Sequence, residues 1–281
     1  MFLKINKSNQ ELLAKENGIV FFLSLDIQNS TKYKLSDPIT WMFDFEYFFQ
    51  KVREYFSQIT NCFIWKELGD EIILVFFPKS IDDLKKILDI AIETSLNKNE
   101  YRKILTDINL NYKTTLFCTG YSEPEPFCIL NSKKNRSDIS KHNEFIKSGY
   151  STHRNHRSIH LPNGPSDGQP SSCIIGSVKM YDFLGPDIDT GFRINKYSKA
   201  YTLNVSDKVA YLFSKLFPTS YGFKLNKKKK LKGVWNNKKY PIINYTQSNK
   251  GASFLEKIYI RNNKLVQMNN FVEKVKSELT Q

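Results

Sequence analysis

An α+β fold built on a ferredoxin-like βαββαβ unit is predicted for this chain, and three observations predict it. The hydrophobic share of 40% across 281 residues is enough for a full core, and 21 Phe and 15 Tyr favour a pleated surface over a helical bundle. Two segments, "GIVFFLSLD" from Gly18 to Asp26 and "NCFIWKELGDEIILVFF" from Asn61 to Phe77, carry strand-length apolar runs, the second broken by a Gly69-Asp70 turn. Amphipathic stretches follow each of them.

Each element follows in order. Alternation in the first strand places Ile19, Phe21, Leu23 and Leu25 on one face and Val20, Phe22, Ser24 and Asp26 on the other. "SDPITWMFDFEYFFQKVREYFSQIT" predicts a helix capped by Asp37 with Pro38 in its first turn and a core stripe of Met42, Phe45, Phe49, Val52, Phe56 and Ile59. The Gly69-Asp70 hairpin comes next. Ser80, Asp82 and Asp83 then start a second helix with Ile81, Leu84, Leu88 and Ile92 inward. "INLNYKTTLFCTG", from Ile108, closes the unit as a fourth strand. Helices cover one sheet face in such a unit; the other, where Asp26 points, is expected to be free.

Residues 121–176 are rich in turn formers and read as an insertion or lid. The His153, His156 and His160 cluster within it reads as a solvated loop rather than a metal site. A strand, a Gly185-Pro186 turn and a helix from about Asp187 follow, then a helix in "VSDKVAYLFSKLF", a hairpin in "KLKGVWNNKKYPIINYT" and a terminal helix. The expected organisation is a single domain over residues 1–281, with a core at about 18–120 and 171–248, the insertion at 121–170 and a C-terminal helical extension at 252–281.

Composition excludes several classes. No run approaches the ~20 apolar residues of a membrane span, and the N-terminus lacks the apolar core of a signal peptide, so a soluble cytoplasmic protein with no membrane partner is expected. Cys62, Cys118, Cys128 and Cys173 form no C-x-x-C pair, which argues against a zinc site or disulfide framework. A formal charge of +14 implies a polyanionic partner: nucleic acid, an acidic membrane surface or a nucleoside triphosphate. The densest basic run, "LNKKKKLKG" at 225–233, reads as a solvated loop or a strand edge.

Asp26 and Asp70 end neighbouring strands of the predicted sheet. Either alone reads as a turn former or a surface charge; converging, they suit Mg²⁺ or Mn²⁺, hard cations that take oxygen ligands and leave positions for substrate phosphates. In "QNST", the backbone N–H groups of Ser30 and Thr31 can cradle phosphate or simply cap a turn. Asp189 and Arg193, four apart, share a helix face either as an ion pair or as a functional pair.

"LDIQNST", "KELGDE" and "DFLGPDIDTGFRI" resemble, in order and internal spacing, the motifs of class III nucleotidyl cyclases over roughly Gly18 to Ala200, and "LKGVWNNKKYPIINY" is similar to that family's C-terminal strands. The resemblance implies that Asp26 and Asp70 bind two Mn²⁺ or Mg²⁺ ions with the Ile27 carbonyl as a further ligand. It implies that Lys66 and Asp182 read the base, Asp189 orients the ribose, Arg193 stabilises the α-phosphate and Lys232 contacts the triphosphate. The family usually has Asn at the Asp189 position. It further implies a head-to-tail homodimer with two active sites at its interface, metal carboxylates from one protomer meeting the arginine of the other. Ring closure by a ribose 3′-oxygen with departure of diphosphate fits such a set.

The wording of the blocks looks most like the Pycsar pyrimidine cyclases, bacterial anti-phage enzymes making cyclic UMP or cyclic CMP that signals to a cyclic-nucleotide-binding effector. UTP, or CTP, is then the substrate, with no nucleic-acid partner. Phe22, on the Asp26 face, is expected to narrow the pocket toward a single-ring base. Lys66 and Asp182 are also the types adenylyl cyclases use, so a purine cyclase is the alternative. A basic domain binding single-stranded nucleic acid is the rival from another class; it accounts for the charge and the aromatics but not for the carboxylates at strand ends.

Overall fold

The computed structural model describes residues 19–97, 99–119, 128–131, 181–247 and 253–280. The histidine cluster, Cys173 and most of the expected insertion lie outside them.

The first strand, β1 (Val20–Gln28), is buried from Val20 through Leu25. Its odd-numbered residues join the main core beneath the helices. Val20 and Phe22 join a second apolar cluster with Trp65, Phe117, Phe183 and Ile188. The expectation of a free sheet face is therefore corrected: its Val20 end is covered by residues more than 150 positions away, which strand alternation could not reveal.

After β1 come α1 (Ser30–Ser36) and α2 (Trp41–Phe56). Asp37 does cap, but it caps a turn, accepting from the Thr40 backbone N–H at 3.0 Å and from its hydroxyl, and the helix starts only at Trp41. The core stripe is Phe45, Phe48, Phe49, Val52 and Phe56, four of them as predicted; Met42, in the first turn of the later-starting helix, is exposed, and Ile59 lies half-buried beyond its end. Strands β2 (Cys62–Leu68) and β3 (Glu71–Phe76) form the expected hairpin, with Gly69 at φ +69°, a conformation that costs glycine little. In α3 (Ile81–Leu96), Ser80 Oγ accepts from the Asp83 N–H at 3.1 Å as its cap.

A helix that the sequence did not suggest, α4 (Glu100–Asp107), precedes β4 (Asn111–Thr119). Arg102 fixes it. The fully buried guanidinium donates to the carbonyls of Asn97, Thr94 and Ser95, satisfying the end of α3, and lies 3.9 Å from the centroid of the Tyr112 ring.

Strand β5 (Cys128–Asn131), in the expected insertion, pairs antiparallel with β6 (Tyr181–Leu184). Then α5 (Pro186–Asn195), β7 (Leu203–Val205), α6 (Asp207–Leu216), β8 (Gly222–Lys230), β9 (Lys239–Thr246), α7 (Ser253–Arg261) and α8 (Leu265–Leu279) follow. The main sheet has seven strands in the order β2-β3-β1-β4-β7-β9-β8. Its first four are the ferredoxin-like unit; β7 adds in parallel to β4, and the basic run becomes the edge strand β8. Buried Asp207 ties the C-terminal elements to the sheet, accepting from the hydroxyls of Tyr240 at 2.6 Å and Tyr259 at 2.8 Å.

Candidate active site

Strand register builds the acidic centre. Asp26 stands opposite Glu71 on β3 and opposite Lys113 on β4, so three charged side chains form one row across β3, β1 and β4. The Lys113 ammonium lies 3.0 Å from Asp26 Oδ2. Asp70 reaches the same end of β1 through the hairpin: the Ile27 N–H donates to the Asp70 carbonyl at 3.0 Å, and the Ser30 hydroxyl donates to the Asp70 carboxylate. Asp26, Ile27, Ser30 and Asp70 thus lie together at this end of β1. Thr31 is exposed beside them in the first turn of α1, whose N-cap residue, Asn29, makes no side-chain cap bond.

Three residues of this centre had no role assigned from sequence. Glu71 accepts from the Ser24 hydroxyl. Asn195, the last residue of α5, donates from one amide nitrogen to Asp26 Oδ2 at 2.9 Å and to Glu71 Oε1 at 3.1 Å, and its Oδ1 accepts from the Thr115 hydroxyl at 2.9 Å. Lys113 is the third; a lone charge in an otherwise uncharged strand was its available signal, whereas nothing local marked Asn195.

Burial holds the Asp26 carboxyl above the usual carboxylate range against the pull of Lys113, with Asp70 adding to the rise. Burial is also the main cause that pushes Glu71 up to about 7, opposed by the Ser24 hydrogen bond and reinforced by Asp26. Crowded, desolvated carboxylates of this kind favour a bound cation. Among the described residues no three His, Cys, Asp or Glu side chains are grouped to hold a metal. A hard divalent ion does not need them: two carboxylates and a carbonyl suffice where water and substrate oxygens complete the shell. Asp26, Asp70 and the Ile27 carbonyl fit Mg²⁺ or Mn²⁺ on that chemistry.

A second group sits on α5. Asp189 and Arg193 pair along the helix at 3.3 Å, both partly exposed. Gly233 approaches them, since a Cβ there would lie 3.8 Å from Arg193 Nη2; this brings the turn that carries Lys232 to the guanidinium. Helix α5 is seated by Gly191, where a Cβ would meet the Phe117 ring at 2.4 Å.

The main sheet, its crossings and these motif positions can be set beside known structures. A guanylyl cyclase, Cya2, superposes with a TM-score of 0.50 at 13% identity, over 85% of this chain and 97% of that one. An adenylate cyclase from Trypanosoma brucei, described in its monomeric state, does so with a TM-score of 0.50 at 12% identity, over 85% and 91%. The fold is that of class III nucleotidyl cyclase catalytic domains. Neither a family model nor a curated protein sequence matches the chain.

On this cyclase fold the base-reading candidates lie on two strands, Lys66 on β2 and Asp182 on β6. Lys66 Nζ lies 4.6 Å from the centroid of the Trp65 ring. Asp182 is in β6, paired with Leu130; its side chain is outside the described set. Phe22 is fully buried, stacked on Phe117 with centroids 5.1 Å apart and equally close to Trp65 and Phe183. Any influence of Phe22 on a bound base passes through those rings. Within one cyclase-fold chain, Asn195 is the described link between the acidic centre and the arginine helix.

Proposed function

We propose that this protein is a nucleotidyl cyclase that converts a nucleoside triphosphate to its 3′,5′-cyclic monophosphate and diphosphate. The observation that carries the reading is the convergence of Asp26 and Asp70 at one end of β1 and the β2–β3 turn, on a sheet with the class III cyclase topology. Asp26, Asp70 and the Ile27 carbonyl hold Mn²⁺ or Mg²⁺. The metal supplies a positive field that lowers the pKa of the ribose 3′-hydroxyl and offsets charge on the phosphates.

The chain's own groups do the rest. Backbone N–H groups of Ser30 and Thr31, at an uncapped helix start, donate to triphosphate oxygens, and Lys232 adds a point charge. Arg193 offers a fork of N–H donors to the α-phosphate as charge grows there during in-line attack. Asp189 orients the ribose by accepting from a hydroxyl. Lys66 and Asp182 read the base edge. The P–O bond to the diphosphate breaks as the bond to the 3′-oxygen forms, and the hydroxyl proton leaves to solvent.

The resemblance of the motif blocks favours a homodimer in which each site takes carboxylates from one protomer and Arg193 from its partner. A pyrimidine substrate, UTP or CTP, is supported by the wording of the three motif blocks. An anti-phage second messenger read by a separate effector follows from the same wording.

The test is to incubate purified protein and Mn²⁺ with ATP, GTP, CTP and UTP separately and to identify the products by mass. A cyclic pyrimidine nucleotide with stoichiometric diphosphate is expected. A cyclic purine product would retain the cyclase and move the substrate, and absence of diphosphate from all four would overturn the reading.

A further inference from the structure

The apolar cluster on the second sheet face holds one polar atom that the fold leaves unused. Trp65 is 1% exposed, and its indole Nε1–H has no hydrogen-bond acceptor among the described residues. A buried donor without an acceptor is costly, and native interiors seldom tolerate one unless another molecule supplies the acceptor. Phenylalanine fills an apolar cluster without that cost, so packing alone does not call for an indole here.

An irregularity of the backbone sets Trp65 beside Lys66. In an unbroken strand, adjacent residues point to opposite faces. Here the β2–β3 register shifts between Ile64, opposite Leu74, and Lys66, opposite Ile73, which makes Trp65 the extra residue of a bulge. Leu74 belongs to the main core and Ile73 to the Trp65 cluster, so the bulge moves Lys66 to the face that Trp65 occupies. The Lys66 ammonium consequently lies over the indole ring.

The indole also touches the other two elements that carry substrate candidates. Its ring meets Phe183, next to Asp182 on β6, with centroids 5.3 Å apart, and Phe192, next to Arg193 on α5, at 6.3 Å. One side chain with a spare donor thus stands among the strand of Lys66, the strand of Asp182 and the helix of Asp189 and Arg193.

We infer that the Trp65 indole N–H is a third reader of the base, donating to a ring carbonyl oxygen of a pyrimidine nucleotide beside Lys66 and Asp182. The inference rests on the cyclase reading and deepens it. Lys66 and Trp65 supply donors, and Asp182 supplies an acceptor. Uracil and cytosine each present two acceptors and one donor on the pairing edge, and both carry a carbonyl at O2. Guanine presents one acceptor and two donors there, and adenine has no carbonyl at all. Two donors and one acceptor therefore suit a pyrimidine. Because Lys66 itself lies over the ring, a base that engages the ammonium comes within reach of the indole.

The experiment is NMR of the full-length protein carrying isotope-labelled tryptophan, whose indole N–H resonances come from Trp41, Trp65 and Trp235. Trp41→Phe and Trp235→Phe identify the Trp65 resonance by elimination, so the assignment does not depend on a folded Trp65 variant. Calorimetry with Mg²⁺ first fixes saturating concentrations of the non-hydrolysable α,β-methylene analogues of UTP, CTP and ATP. The pyrimidine analogues are expected to move the Trp65 indole proton downfield and slow its exchange with solvent, and the ATP analogue is not. In turnover, Trp65→Phe should raise KM for the pyrimidine triphosphate about three- to tenfold, the worth of one hydrogen bond, with kcat held within about twofold. A pyrimidine analogue that binds while the Trp65 resonance stays in place would overturn the inference and leave the cyclase reading standing. An ATP analogue that moves the resonance equally would overturn it too, as would an unchanged KM in Trp65→Phe. If none of the analogues binds, the cyclase reading falls and this inference with it.

Discussion

At the scale of single residues, the site is an exercise in holding negative charge together. Asp26 has Lys113 on one flank and Glu71 on the other, and Asn195 spans the two carboxylates with one amide nitrogen. Replacing Asn195 by leucine keeps the volume and removes the donor. Mn²⁺ affinity by calorimetric titration should then fall by about tenfold, the usual loss when a partner of a metal ligand is removed. Glu71 makes a pH prediction. Its folded pKa, about 7, is raised above the unfolded value of 4.5, so metal-free protein has the full contribution below pH 4.5 and loses it as pH rises through 7. Partial exposure limits the loss to about 2 kcal/mol. Glu71→Gln should flatten that decline in a series of thermal melts. A parallel decline in the variant would assign it to other groups. These details were hard to read from sequence because they are cross-strand: Asp26, Glu71 and Lys113 come together only once two registers are fixed.

At the scale of elements, close packing decides where the functional helix sits. Gly191 lets α5 lie against Phe117, whose ring is itself stacked on Phe22 and flanked by Phe192. Gly191→Ala forces a methyl into that ring, so a loss of about 1–3 kcal/mol is expected from overpacking, read as a lower denaturation midpoint, with a larger drop in turnover than stability alone explains because Arg193 moves with the helix. Arg102 is the other keystone, joining the ends of α3 and α4 to β4. Arg102→Ala should cost about 3 kcal/mol or more, since five backbone and side-chain acceptors lose their donor in a buried place. The β1 strand, the Gly69-Asp70 hairpin and the Ser80 cap were legible because their signals are local. Helix α4 was not: "EYRKILTD" is short and largely polar, and its buried Tyr101 and Leu105 are too few to show a period, while Arg102 between them is buried by partners outside the helix. Met42 was misplaced because Asp37 and Pro38 resemble a helix start yet form a separate turn, which leaves Met42 in the exposed first turn of the helix.

At the scale of the whole molecule, the seven-stranded sheet, rather than sequence identity, connects this chain to cyclases, and the motif blocks fall on it at strand ends and on one helix. That part of the second sheet face is roofed by Phe183 and Ile188 was not legible locally, because that roof comes from beyond the insertion. The proposed dimer would bring the acidic centre at Asp26 and Asp70 of one subunit to the guanidinium of Arg193 in its partner. The most direct test mixes two inactive variants, Asp70→Asn and Arg193→Ala, under conditions of proven subunit exchange, and measures diphosphate release. Mixed dimers hold one intact site, so recovery of roughly a quarter of wild-type activity is expected with random exchange of equal amounts; no recovery despite exchange would contradict a site shared between subunits.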